Sequence, residues 1–140
     1  MAQTFASEVS GLGTIPETNA NGAVQGGRLR RFRATIALAA QADGDTVVLA
    51  RVPAGYAFAY GIINASATLS TSSVAIGVAG TAGKYRATAV FTAAAPTLFG
   101  AVAAVDDAPL TDAETVILTN TVAALPGSGT LVVDLFYSAP

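Results

Sequence analysis

From Arg28 onward, apolar residues fall on every second position, and turn residues interrupt the pattern about every 8 to 15 residues. Phe32, Ala34, Ile36 and Leu38 alternate with Arg31, Arg33, Thr35 and Ala37. A period of two places one set of side chains on one face of a strand, whereas a helix needs a repeat near 3.6. The same reading gives strands over Thr46–Val52, Val74–Val78, Thr97–Val105, Glu114–Thr121 and Thr130–Ser138. The last of these puts Leu131, Val133, Leu135 and Tyr137 on one face. In a further strand, Tyr56, Phe58, Tyr60 and Ile62 alternate with Ala57, Ala59, Gly61 and Ile63, giving one large and one small face. Turns fall at Asp43-Gly44, Pro53-Ala54-Gly55, Ala79–Gly83 and Pro126-Gly127. Lys84–Thr92 stays open between strand and helix: Tyr85, Ala89 and Ala93 suit helical turns, while Thr88, Val90 and Phe91 favour extension.

Seven or eight strands with no long amphipathic helix predict an all-β antiparallel β-sandwich, most economically jelly-roll-like. An immunoglobulin-like sandwich or an open barrel fits the same count. The sandwich domain is expected over residues 28–140, a length that buries roughly two thirds of the unfolded surface. Residues 1–27 are rich in Ser, Thr, Asn, Gln and Gly and hold neither period. They read as an extended N-terminal arm, either a loose terminus or a segment that orders against a neighbouring subunit.

Composition narrows the function. Histidine and cysteine are absent, which removes the usual neutral-pH general base, thiol nucleophiles and thiolate metal sites. Hydrophobic residues make up 52% and charged residues 11%, less than half the usual charged share. So little charge points to surface covered by other subunits. The formal net charge of −2 supplies no basic field for nucleic acid. Met1–Ser10 lacks the basic and apolar regions of a signal peptide, and Ala87–Val105 is broken by Thr88, Thr92, Pro96, Thr97 and Gly100. The expectation is a protein made in the host cytoplasm, with no membrane partner, no nucleic-acid partner and no cofactor.

Four of the seven basic residues, Arg28, Arg30, Arg31 and Arg33, crowd the start of the first strand. Their guanidinium forks suit carboxylates on a neighbouring subunit. Alternation puts Arg31 and Arg33 on one face and Arg28 and Arg30 on the other, so they form no single-sided phosphate stripe. With Phe5 and Ile15 of the arm they are the candidate contacts to neighbouring subunits. Asp106, Asp107, Asp112 and Glu114 form an acidic loop that lacks the spacing of a calcium-binding loop and reads as solvated. Tyr56, Phe58 and Tyr60 suit a sandwich core better than a sugar platform. No catalytic constellation emerges, and the chain reads as a non-enzyme.

The run Asp43-Gly44-Asp45-Thr46-Val47-Val48-Leu49-Ala50-Arg51-Val52-Pro53-Ala54-Gly55 leads into an alternating strand and a Ser/Thr-rich stretch, Ala65–Val74. Val74–Tyr85 follows, then Asp112-Ala113-Glu114-Thr115 before a late strand. This order resembles small virion proteins of tailed bacteriophages. The resemblance implies a capsid decoration (cement) protein, a homotrimer on the outer capsid surface, bound to the major capsid protein and stabilising the shell. A glycan-binding head or tail fibre module, or a tail or connector component, is the alternative.

Overall fold

A computed structural model describes residues 14–17, 19, 22–23, 25–105 and 108–140. The alternating segments form eight strands: β1 (Arg28–Ala37), β2 (Thr46–Val52), β3 (Ala57–Ala65), β4 (Ser73–Val78), β5 (Thr81–Val90), β6 (Thr97–Phe99), β7 (Glu114–Thr121) and β8 (Thr130–Ala139). A four-residue helix, α1 (Val102–Val105), lies between β6 and β7. The strands make two four-stranded sheets, ordered β1-β8-β3-β6 and β2-β7-β4-β5. All pairings are antiparallel. The pairs 1·8, 2·7, 3·6 and 4·5 are those of one long antiparallel hairpin rolled over on itself.

The core lies between the sheets. Leu131, Val133, Leu135 and Tyr137 of β8 are each at most 1% exposed, the single face that their period of two dictates. Val74 and Ile76 of β4 and Val116 and Leu118 of β7 are fully buried as well. Each such side chain contributes about 1.5–3 kcal/mol by leaving water. An aromatic cluster fills one end: Phe58 lies 4.5 Å from Tyr85 and 5.4 Å from Tyr137 between ring centroids, and Phe32 lies 5.7 Å from Tyr137.

Several expectations change. β3 does not carry one large and one small face. Phe58 pairs with Tyr137 but Tyr60 pairs with Phe136, so Ala59 is an extra residue in a bulge. The bulge flips the parity, as an added residue must. Phe58, Gly61 and Ile63 therefore turn inward, while Tyr60 and Ile62 turn outward. Gly61 is needed where it is: a Cβ there would fall 2.6 Å from Cε1 and Cε2 of the Phe99 ring, and nearer still to Cζ. Gly77 of β4 is held to the same demand, since a Cβ on it would run into the backbone of Thr81 and Ala82. Residues 81–83 belong to β5, and the ambiguous stretch after them is strand to Val90. The strand expected over 97–105 stops at Phe99, and the chain turns into α1 after Gly100.

Gly22, Ala23 and Gly27 pack on the end of β8. Ala23 is 1% exposed, its carbonyl accepts a hydrogen bond from the Ser138 hydroxyl, and a Cβ on Gly27 would meet the carbonyl oxygens of Ala23 and Ala139. At the opposite end, the Asn120 amide nitrogen donates to the carbonyls of Gln41, Ala42 and Ala123 at 3.0–3.2 Å. Ser72 donates to the carbonyl of Ala124 at 2.7 Å. Those two contacts hold the loop after β7, where Val122 sits at φ 79°.

Candidate interaction surface

β1 is an edge strand with one neighbour, β8. Nine of its ten residues are exposed or half-buried; only Ile36 is buried. Strands left at an edge are blunted by charge, and arginines do this along the first half of β1. Arg28, Arg30 and Arg31 are exposed and make no salt bridge among the described residues. Arg33 is different. Its Nε donates to Asp134 Oδ1 at 2.8 Å and its Nη2 to Oδ2 at 2.7 Å, across from β1 to β8. This fork holds the Asp134 carboxyl below its ordinary pKa, since Arg33 hydrogen-bonds the charged form. The first strand thus brings the four arginines onto one rim. Ile15 is fully exposed, and Phe5 lies outside the described residues.

The two outward sheet faces differ. On the β2-β7-β4-β5 sheet the outward rows are Thr46·Thr119·Ala75, Val48·Ile117·Gly77 and Arg51·Thr115, in which Ala75 and Gly77 are buried and Val48 is 66% exposed. On the other sheet they are Arg31·Phe136·Tyr60, Arg33·Asp134·Ile62·Leu98 and Thr35·Val132·Asn64. Tyr60 and Phe136 stack with centroids 4.6 Å apart and planes at 17°. Leu98 is 68% exposed and Leu29, on the same face, 53%. Between these rows a shallow groove of about 300 Å³ is lined by Arg33, Ile62, Asn64, Pro96, Val132 and Asp134. Sequence reading missed Asn64, Phe136 and Asp134 here. The signal for the last was a lone carboxylate inside the run Leu131-Val132-Val133-Asp134-Leu135-Phe136.

The acidic loop takes another form. Asp106 and Asp107 lie outside the described residues, and among the described residues no three acidic side chains gather. Glu114 faces inward to a polar contact at the rim of the aromatic cluster: Lys84 Nζ donates to its Oε2 at 2.5 Å, and the Tyr85 hydroxyl donates to its Oε1. Burial, then the bond to Glu114, pushes the Tyr85 hydroxyl far above its ordinary pKa. Burial raises the Tyr137 hydroxyl likewise, with its interaction with the Tyr85 hydroxyl working against the rise.

The architecture is thus that of an eight-stranded, two-sheet, antiparallel β-protein whose described surface offers shallow grooves. The same fold occurs in a chain of the capsid of Ralstonia phage GP4, with a TM-score of 0.66 at 20% identity, over 81% of this chain and 86% of that one. It occurs again in a chain of the capsid asymmetric unit of cyanophage Pam1, with a TM-score of 0.60 at 17% identity, over 81% and 86%. No family model matches the sequence, and no curated protein matches it.

Proposed function

We propose that this chain is a structural protein of a tailed-phage virion, seated on the outer capsid surface. There it bridges neighbouring capsomers of the major capsid protein and stabilises the shell. The observation that carries this reading is the shared fold with a chain of the GP4 phage capsid over four fifths of the sequence. The strand orders β1-β8-β3-β6 and β2-β7-β4-β5 are read as a jelly roll, an architecture that viral capsid domains use.

The working parts follow from the surface. The rim formed by Arg28, Arg30 and Arg31 has charge to offer a carboxylate-bearing neighbour. Residues 1–27 act as an arm that reaches a neighbouring subunit, anchored where Ala23 meets Ser138. Three copies associate, which puts three arms on one shell position. A pressurised shell opens only when such bridges break, and modest contacts add up when many are made at once. Protein is made in the host cytoplasm and joins the head there.

Sedimentation with expanded empty capsids tests the reading. The protein is expected to pellet with shells and to ignore free coat subunits, and Arg30→Glu with Arg31→Glu should weaken pelleting. Wild-type protein left in the supernatant at every shell concentration refutes it. Analytical ultracentrifugation tests the trimer.

A further inference from the structure

The groove on the outward face of the β1-β8-β3-β6 sheet contains polar groups with hydrogen-bonding capacity to spare. Asn64 is half-buried at the end of β3, and its side-chain amide makes no hydrogen bond to any described residue. Arg33 spends Nε and Nη2 on Asp134, which leaves Nη1 without a hydrogen-bond partner among the described residues. Each Asp134 oxygen accepts one hydrogen bond from Arg33 and keeps a lone pair, and that side chain is 10% exposed. The carboxylate is fixed, charged and aimed by its partner rather than free to rotate.

Register places these groups within reach of one small molecule. Neighbouring strands stand about 4.8 Å apart and successive same-face residues about 6.8 Å apart. Asn64 lies one row from Ile62, which is level with Asp134 and next to it across the strands. Ile62, Val132 and Pro96 supply apolar walls, and the stacked Tyr60 and Phe136 stand in the adjoining row. Donor, acceptor and amide thus alternate with C–H-binding surface over about one residue spacing in each direction.

We propose that this groove is a saccharide-binding site. A pyranose ring presents vicinal hydroxyls, each both donor and acceptor, beside apolar C–H patches. Paired hydroxyls meet the Asp134 carboxylate, the free Arg33 N–H and the Asn64 amide, while C–H faces meet Ile62, Val132 and Pro96. A purely apolar protein partner would leave the ion pair and the amide desolvated and unmatched, at a cost that hydroxyls avoid. The site is open, so affinity for a single sugar unit is in the millimolar range, about what a few hydrogen bonds supply.

The test is a titration of the isotopically labelled full chain with methyl glycosides of hexoses and N-acetylhexosamines, read by amide chemical shifts. Saturable shifts are expected at Arg33, Ile62, Asn64, Val132 and Asp134 with at least one glycoside. Asn64→Ala, which removes an amide that bonds nothing in the fold, should weaken binding about tenfold with an unchanged melting temperature. Arg33→Lys, which loses the planar fork, should weaken binding as well, with some loss of stability from the broken pair with Asp134, and Thr115→Ala on the other sheet should change nothing. The proposal is overturned if no glycoside gives saturable shifts, or if Asn64→Ala binds as well as wild type. It is overturned equally if these amides broaden with protein concentration alone, because a second copy then covers the face. No capsid enters the assay, so failure of shell binding and failure here are separate results.

Discussion

Gly61→Ala is the sharpest test of how the core closes. The added Cβ would lie 2.6 Å from two Phe99 ring carbons, with Cζ nearer still. A flip about χ2 does not help, because Cζ lies on that axis and stays in place. The ring must swing about χ1, and Phe99 is 8% exposed among packed neighbours. Overpacking of this kind costs about 1–3 kcal/mol. Alanine's lower chain entropy returns about 0.5–1 kcal/mol relative to glycine. A net loss of about 1.5 kcal/mol follows. For 140 residues the unfolding entropy is about 0.3 kcal/mol/K, so the melting midpoint should drop by about 5 °C. The decisive measurement is a double-mutant cycle by urea denaturation. Phe99→Ala alone should cost about 3–5 kcal/mol through the cavity it leaves. Adding Gly61→Ala in that background should cost nothing or stabilise slightly, because the colliding ring is gone. Equal cost of Gly61→Ala in both backgrounds would show that the ring is not what excludes a side chain, and the account of β3 would fail.

Glu114→Gln should destabilise by about 1–3 kcal/mol in urea denaturation, since it leaves a largely buried Lys84 ammonium without its counter-charge. Tyr85→Phe, which removes only the hydroxyl donor, should cost less. The Arg33–Asp134 pair sets a pH dependence with a definite sign. The folded Asp134 pKa is depressed, so its stabilisation is full above the unfolded value near 4 and disappears as pH falls through the lower folded value. Asp134→Asn should therefore be less stable than wild type at neutral pH, with the gap closing below about pH 4 in thermal melts; a gap constant with pH refutes the pairing. Val122→Gly should stabilise by about 1 kcal/mol, because a β-branched, largely exposed residue at φ 79° carries strain that glycine does not.

What the sequence revealed depended on whether a strand kept its period unbroken. β8 has no break against β1, so its inward set was readable residue by residue from Leu131 to Tyr137. β3 contains one extra residue, Ala59, and everything beyond it reads on the wrong face. No local signal marks that bulge, because alanine neither demands nor forbids it; the cause is the pairing with β8, over seventy positions away in the chain. The short β6 was overrun for a related reason. Thr97–Val105 is largely apolar, and a short apolar run does not distinguish a strand from a helical turn. Of the contact residues, the arginines of β1 were visible as a charge cluster. Asn64 and Asp134 were not visible together, because only strand pairing brings residues so distant in sequence side by side.

That pairing also explains how large side chains of β3 reach the outside of one sheet. If β3 had kept strict alternation beyond Phe58, Tyr60 and Ile62 would have entered a core already occupied by Phe99, Leu135 and Tyr85, and Gly61 and Ile63 would have faced out. The bulge at Ala59 moves two large side chains to the outside and lets the small one sit beneath the Phe99 ring. The same step that fits the core therefore creates the outward row Arg31·Phe136·Tyr60 and the groove beside it. On the opposite sheet, Ser73, Ala75 and Gly77 of β4 take the outward positions but are buried, and Thr121, Thr119 and Ile117 of β7 beside them are half-buried. Threonines at those positions keep a β-sheet paired while giving a partner little to hold. Aromatic and arginine side chains are the types on which binding energy concentrates. Core packing thus sets Tyr60, Phe136 and Arg31 side by side on the outside of the β1-β8-β3-β6 sheet, where the proposed contacts would use them.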